Sequence, residues 1–238
     1  MKIQLPEAAF FDLDDTILAY EAISQKCWGE VCLRFAPLIG GLAVDDLLAS
    51  IDEVRAWYWS DPERDRRGRL NLRIARQEIV SGAFARLGVA AQSVANEIAD
   101  SYTTIKEKVV ELVPGAMETL RSLRDNGNRL ALITNGSAQF QRAKVNRFGL
   151  EPLFDYILIE GDFGVGKPDQ RVYRHVLKQL NVLPSQASMV GDNLQLDVAD
   201  AQLLGIHGVW VDWEGSGLPE NSSVKPDHIV RTISELVR

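Results

Sequence analysis

Short, solid apolar runs alternate with helical patterning at the start and over the second half of the chain. Helical patterning alone fills the stretch between. The first run is Ala8-Ala9-Phe10-Phe11, short enough for a buried strand, and it ends abruptly in Asp12-Leu13-Asp14-Asp15. Further runs span Arg129–Thr134, Tyr156–Glu160, Ser188–Gly191 and Gly208–Val211, with Asp227–Val230 as a sixth. Helices are predicted from Ala116 to the Asn126-Gly127-Asn128 turn, from Ser137 to Phe148, from Asp169 to Leu180, and from beyond Asp192 to Leu204 before Gly205. Strands apolar throughout that alternate with amphipathic helices predict a parallel α/β sheet covered on both faces.

From about Leu18 to Leu112 there is almost no strand signal. Helices are expected over Ile17–Phe35, Val44–Trp59, Leu70–Leu87 and Ser93–Val110. The third carries Leu70, Ile74, Ile79, Ala83 and Leu87 on its apolar positions and stops at Gly88. Residues 20–112 therefore read as an all-α subdomain inserted between 1–19 and 113–238.

Composition narrows the classes. With 238 residues, 46% hydrophobic and 25% charged, the chain has the ordinary globular mix and room for one large domain or two unequal ones. A net charge of −7 argues against nucleic acid or an anionic membrane as the main partner. Met1-Lys2 leads directly toward the first strand, so no signal peptide is expected, and no apolar run reaches the ~18 residues of a membrane span. Cys27 and Cys32 lie five apart, off the same-face spacing of a helix, and are expected to stay unpaired thiols in a reducing, cytoplasmic setting. His175, His207 and His228 show no zinc-type spacing.

The chemistry gathers at the strand ends. Ligands of parallel α/β sheets bind at the carboxyl ends of the strands. Here those ends carry Asp12 and Asp14, Thr134-Asn135 and Asp192, with Lys167 in the loop after the third main strand and Asp197 five residues beyond Asp192. Asp12 and Asp14, two apart, point to one side of extended backbone. Two such carboxylates repel and raise each other's pKa unless a hard cation such as Mg²⁺ joins them, and an aspartate can itself act as a nucleophile. There is no Ser-His-Asp set in a nucleophile elbow and no Cys-His pair. Carboxylates, a hydroxyl and a lysine fit phosphoryl transfer, in which metal and lysine neutralise phosphate charge.

Over roughly 1–19 and 113–238 the chain resembles the haloacid dehalogenase superfamily. The resemblance rests on Asp12-Leu13-Asp14-Asp15-Thr16, Leu132-Ile133-Thr134-Asn135-Gly136, Gly166-Lys167-Pro168-Asp169 and Gly191-Asp192-Asn193 with Asp197. It implies a Rossmann-like core flanked by helices, with residues 20–112 as a type-1 α-helical cap of the phosphoglycolate phosphatase-like kind. It implies a cytoplasmic, Mg²⁺-dependent phosphomonoesterase acting on a small phosphorylated metabolite, as a monomer or homodimer. In that scheme Asp12 is the nucleophile and Asp14 the general acid, then the base. Thr134, Asn135 and Lys167 bind phosphate. Asp12, Asp14 (through its backbone carbonyl) and Asp192 hold the metal, and Asn193 and Asp197 support them. The resemblance also separates reaction types: dehalogenases of this superfamily lack an aspartate two residues after the nucleophile, and mutases usually follow it with Gly-Val. A phosphomutase and a phospho-receiver-like signalling protein are the alternatives.

Two further features have double readings. Arg64, Arg66, Arg67, Arg69, Arg73 and Arg76 crowd one stretch, read either as a solvated face or as a surface for a second anionic group on the substrate. Trp57-Tyr58-Trp59 can stack on a base or sugar, yet adjacent helical side chains diverge, so at least one is expected in the core. The stretch from Gly161 to Lys167 matches G-x-x-x-x-G-K of a nucleotide-binding loop, but Pro168 stands where that loop needs a hydroxyl for Mg²⁺.

Overall fold

The computed structural model describes residue 3 and residues 5–237. Tyr20–Val110 forms one compact unit, and the described residues before and after it form the other.

The second of these is built on a six-stranded parallel sheet. Its eight strands, in chain order, are β1 (Ala8–Phe11), β2 (Leu18–Ala19), β3 (Glu111–Leu112), β4 (Arg129–Thr134), β5 (Tyr156–Ile159), β6 (Ala187–Gly191), β7 (His207–Val211) and β8 (His228–Val230). The main sheet runs β5-β4-β1-β6-β7-β8, and β2 pairs antiparallel with β3 outside it. β1 is central, with Phe11 level with Leu132 on one side and Val190 on the other. Chain order reverses at β1, the switch point where doubly wound sheets open a crevice at their carboxyl edge. β1 is buried along its whole length and β4 from Leu130 to Thr134, which is why both read as unbroken apolar runs.

Helices cover the sheet. Gln170–Leu180 shows how: Asp169 caps its first turn, and Val172, Tyr173, Val176, Leu177 and Leu180 pack with Phe10, Ala131, Ile133 and Met189. The segment after β6 departs from the simple helix expected there. Leu194–Ala199 is a single wide π-type stretch, and an α-helix follows only over Asp200–Leu203. The expected strand Tyr156–Glu160 ends at Ile159, and the glycine-rich loop after it begins as a short helix, Glu160–Phe163.

The all-α unit holds α1 (Ser24–Phe35), α2 (Val44–Trp59), α3 (Pro62–Leu70), α4 (Leu72–Arg86) and α5 (Gln92–Val109). Its core joins Trp28, Val31, Leu47, Ile51, Ile79, Phe84, Ile98 and Tyr102, with Trp28 stacked on Tyr102 at 3.7 Å between ring centroids. Cys27 and Cys32 are buried and unbonded, and burial pushes the Cys32 thiol up to about 12.

One expected helix is shortened, and one helix forms where none was expected. The first begins only at Ser24, because Leu18–Ala19 forms β2 against Glu111–Leu112. The third, expected over Leu70–Leu87, runs from Leu72 to Arg86 with Asn71 as its cap, and the arginine-rich stretch before it forms a helix of its own, capped by Asp61 and opening on Pro62. Gly68 sits where a Cβ would lie 2.7 Å from the Tyr58 ring and 2.8 Å from that of Trp59, so only glycine lets α3 come this close to α2. Among the described residues no helix is long and apolar enough to cross a membrane.

Candidate active site

The strand ends converge on one cavity of about 170 Å³, lined by Asp12, Asp14, Asp15, Thr134, Asn135, Lys167, Asp192, Asn193, Leu196 and Asp197. Every residue proposed from the sequence for catalysis, phosphate binding or metal support is in that lining.

Asp12 follows β1, and its backbone N–H donates to Val190 O at 2.9 Å, which ties the strand end to β6. A tight turn comes next: Asp15 adopts φ 55 and donates to Leu18 O at 2.7 Å. This reverses the chain directly after the two carboxylates.

Lys167 is the centre of the charge arrangement. Its ammonium donates to Asp12 Oδ1 and to Asp197 Oδ1, each at 2.5 Å, with the lysine side chain only 2% exposed. Burial alone would lower its pKa, but the adjoining Asp12 and Asp197 carboxylates outweigh burial and raise it, so the ammonium stays charged. Asn135 holds that lysine in place: its side-chain N–H donates to Lys167 O at 2.8 Å, and its Oδ1 accepts from Lys167 N at 2.7 Å. A side chain on Gly166 would strike Asn135 Oδ1 at 2.4 Å. Asn135, expected as a phosphate ligand, thus has contacts that position Lys167.

Asp12, Asp192 and Asp197 offer carboxylate oxygens all within 4.8 Å of one another. Burial, with the Asp197 and Asp14 charges adding, outweighs Lys167 and lifts Asp12 from 3.8 to about 7. Burial, then Asp12, Asp197 and Asp15, lifts Asp192 to about 9. Three clustered, desolvated hard oxygens, two of them reluctant to ionise, fit a divalent cation such as Mg²⁺. Asp197 also accepts from Asn193 N at 3.0 Å, and Trp210 Nε1 donates to Asp192 O at 2.7 Å, so backbone and ring contacts hold the segment after β6. Gly191 is needed there, since a Cβ would lie 2.3 Å from Asp197 Cγ.

Asp14 stands outside that carboxylate cluster. Lys144 Nζ donates to both of its oxygens, at 2.8 and 2.7 Å, and Gln141 Nε2 donates to Oδ2 at 3.1 Å and to Thr134 Oγ1 at 2.6 Å. Gln141 and Lys144 were not singled out from the sequence. Their spacing of three on the helix Ala138–Arg147, directly after β4, is the signal that could have found them. Buried Glu160 likewise went unmarked, and its carboxylate accepts from Gly136 N at 2.9 Å.

The residues singled out in the all-α unit have partners there. Arg67 pairs with Glu78 at 3.1 Å, Arg69 pairs with Asp65, and Arg66 is exposed on the same helix. Trp57 is 58% exposed under the Arg64 guanidinium, Tyr58 is buried, and Trp59 packs against the helical core.

The sequence model of the haloacid dehalogenase-like hydrolases matches residues 6–205. A phosphoserine phosphatase of Thermus thermophilus is 38% identical, covering 94% of this chain and 95% of its own. A glyceraldehyde 3-phosphate phosphatase of Pyrococcus furiosus is 30% identical over 84% of this chain and 78% of its own. Among solved structures, the magnesium-bound hydrolase YfnB of Bacillus subtilis superposes with a TM-score of 0.73 at 22% identity, covering 98% of this chain and 97% of that one, a likeness of fold.

Proposed function

The chain belongs to the haloacid dehalogenase-like hydrolase family as a phosphoric monoester hydrolase of small phosphorylated metabolites, and on that premise we propose that its turnover runs through an aspartyl-phosphate on Asp12. The observation that carries this reading is the convergence of Asp12, Asp14, Thr134, Lys167 and Asp192 around one small cavity at the switch point of the sheet.

In the first step an Asp12 carboxylate oxygen attacks phosphorus. The bond from phosphorus to the substrate oxygen breaks, and that oxygen keeps the electron pair and takes a proton from the Asp14 carboxyl. In the second step Asp14, now a carboxylate, takes a proton from water as the water oxygen attacks phosphorus. The bond to Asp12 breaks, which frees phosphate and restores both side chains. Lys167 holds the nucleophile at 2.5 Å and supplies fixed positive charge beside the transferring group, and in this reading Thr134, in the lining of the same cavity, binds one of its oxygens through its hydroxyl. Mg²⁺ held by Asp12 and Asp192, with the Asp14 backbone carbonyl and Asp197 in support, would offset the charge of the carboxylates and of the phosphoryl oxygens.

In this reading the all-α unit is the cap that selects the substrate. The relatives' substrates make phosphoserine and glyceraldehyde 3-phosphate the first esters to try. The test is phosphate release from a panel of phosphomonoesters, with Mg²⁺ or with a chelator, for the wild type and Asp12→Asn. Mg²⁺-dependent release abolished in the variant supports the reading. Release that survives loss of Asp12 sinks it.

A further inference from the structure

The helix Ala138–Arg147 begins four residues beyond the end of β4, with Ser137 capping it by accepting from Phe140 N at 3.3 Å. That start carries Gln141 and Lys144 on one face. Lys144 has only 12% of its side chain exposed, and it brings an ammonium to the carboxylate of Asp14, 26% exposed. Its Nζ reaches both oxygens, at 2.7 and 2.8 Å. A cation that bridges both oxygens fixes the plane of a carboxyl group about the Cβ–Cγ bond, and a single contact leaves it free to turn. Gln141 Nε2 joins the same carboxyl at 3.1 Å to Thr134 Oγ1 at 2.6 Å and to Asn135 O at 2.9 Å. One helix face thus fastens Asp14 to the strand end that carries Thr134. Asp14 is not among the clustered carboxylates of Asp12, Asp192 and Asp197.

We propose that Lys144, assisted by Gln141, is a positioning residue that aligns the Asp14 carboxyl for proton transfer to the leaving oxygen. The inference rests on the phosphatase reading above. With the proton on one Asp14 oxygen, the other still accepts from Lys144, so the alignment persists through both steps. Without Lys144 the carboxyl keeps only the Gln141 contact and turns away from the substrate oxygen.

Leaving groups separate this role from a purely structural one. An alkyl oxygen must receive a proton as it departs, and p-nitrophenolate leaves without one. The parameter kcat/KM covers the steps up to departure of the alcohol and excludes the later attack of water on the enzyme. Lys144→Met is expected to lower kcat/KM for the alkyl phosphate turned over best by about 10²-fold, within the range lost with an aligned general acid. The loss on p-nitrophenyl phosphate is expected to be at least about tenfold smaller. Lys144→Arg, which can still donate to both oxygens, should recover most of the difference. In an Asp14→Asn background Lys144→Met should add little, because the group it positions is already gone. Should Lys144→Met fail to fold, Lys144→Gln carries the same comparison. Equal losses on both esters, no loss on either, or full additivity with Asp14→Asn overturns the inference while the phosphatase reading stands. If Asp14→Asn itself shows no preference between the two esters, the acid role in the phosphatase reading has failed instead.

Discussion

Lys167→Met isolates what the buried ammonium does for the folded protein. The lysine is 2.5 Å from oxygens of both Asp12 and Asp197, and all three side chains are buried. Methionine keeps the apolar stem and removes the charge, leaving Asp12, Asp192 and Asp197 facing one another. Breaking a buried ion pair on one side typically costs about 3–5 kcal/mol. The size of the loss depends on pH, and the sign follows from the direction of the shifts. Asp12 and Asp192 have folded values of about 7 and about 9 against an ordinary 3.8, so the metal-free folded state holds protons that the unfolded chain has released. Stability of the metal-free protein therefore falls as pH rises from about 4 through those values, by at most about 1.4 kcal/mol per pH unit for each extra proton. Lys167 restrains the rise at Asp12. At pH 5.5 Asp12 is mostly neutral, and the variant loses chiefly the Asp197 contact. At pH 8.5 Asp12 is ionised in the wild type, and the variant loses both contacts. Urea denaturation in a chelator should thus show a gap between wild type and variant that widens from pH 5.5 to 8.5, toward the upper end of that range. Mg²⁺ at a hundredfold excess over the variant's Kd should stabilise the variant by about 2.7 kcal/mol. A variant as stable as the wild type at pH 8.5, or a gap that shrinks as pH rises, refutes the reasoning.

Other perturbations test other parts of the account. Gly191→Ala places a Cβ 2.3 Å from Asp197 Cγ, so it should cost about 1–3 kcal/mol in thermal denaturation and weaken Mg²⁺ activation, because Asp197 must shift. Trp28→Ala removes a side chain 1% exposed and stacked on Tyr102, and should cost about 3–5 kcal/mol by denaturant titration, with a smaller loss for Trp28→Phe. Mg²⁺ must displace protons held by Asp12 and Asp192, so calorimetry in buffers of different ionisation heat should show proton release on binding and an apparent affinity that weakens as pH drops below about 9.

The catalytic strand ends were legible because each is a short contiguous pattern, an apolar run closed by a polar group. Asp12, Thr134 and Asp192 end three neighbouring strands, and the parallel order places them on one edge. Contacts that depend on the path of a helix were not legible. Gln141 and Lys144 look like ordinary polar positions until the helix after β4 is seen to turn them onto Asp14. Asn135 gave a hydrogen-bonding side chain in the right place but no sign that its partner is the main chain of Lys167. β2 and β3 are two residues each, too short for any periodicity, and only pairing between Leu18 and Leu112 creates them. The helix Pro62–Leu70 was written in Asp61-Pro62, a good helix start, but its run of charged residues carries no apolar spacing to mark it.

The central claim is covalent transfer to Asp12, and the most direct measurement is mass analysis of the enzyme quenched in acid during turnover of its best phosphoester. Asp14→Asn lacks both the acid of the first step and the base of the second, so with p-nitrophenyl phosphate, whose leaving group needs no acid, it is the form in which the adduct should accumulate. The account predicts one phosphoryl group on the peptide that carries Asp12, absent in Asp12→Asn and lost on treatment with hydroxylamine. An active enzyme that shows no adduct in either form, or one that carries it on another residue, contradicts the account.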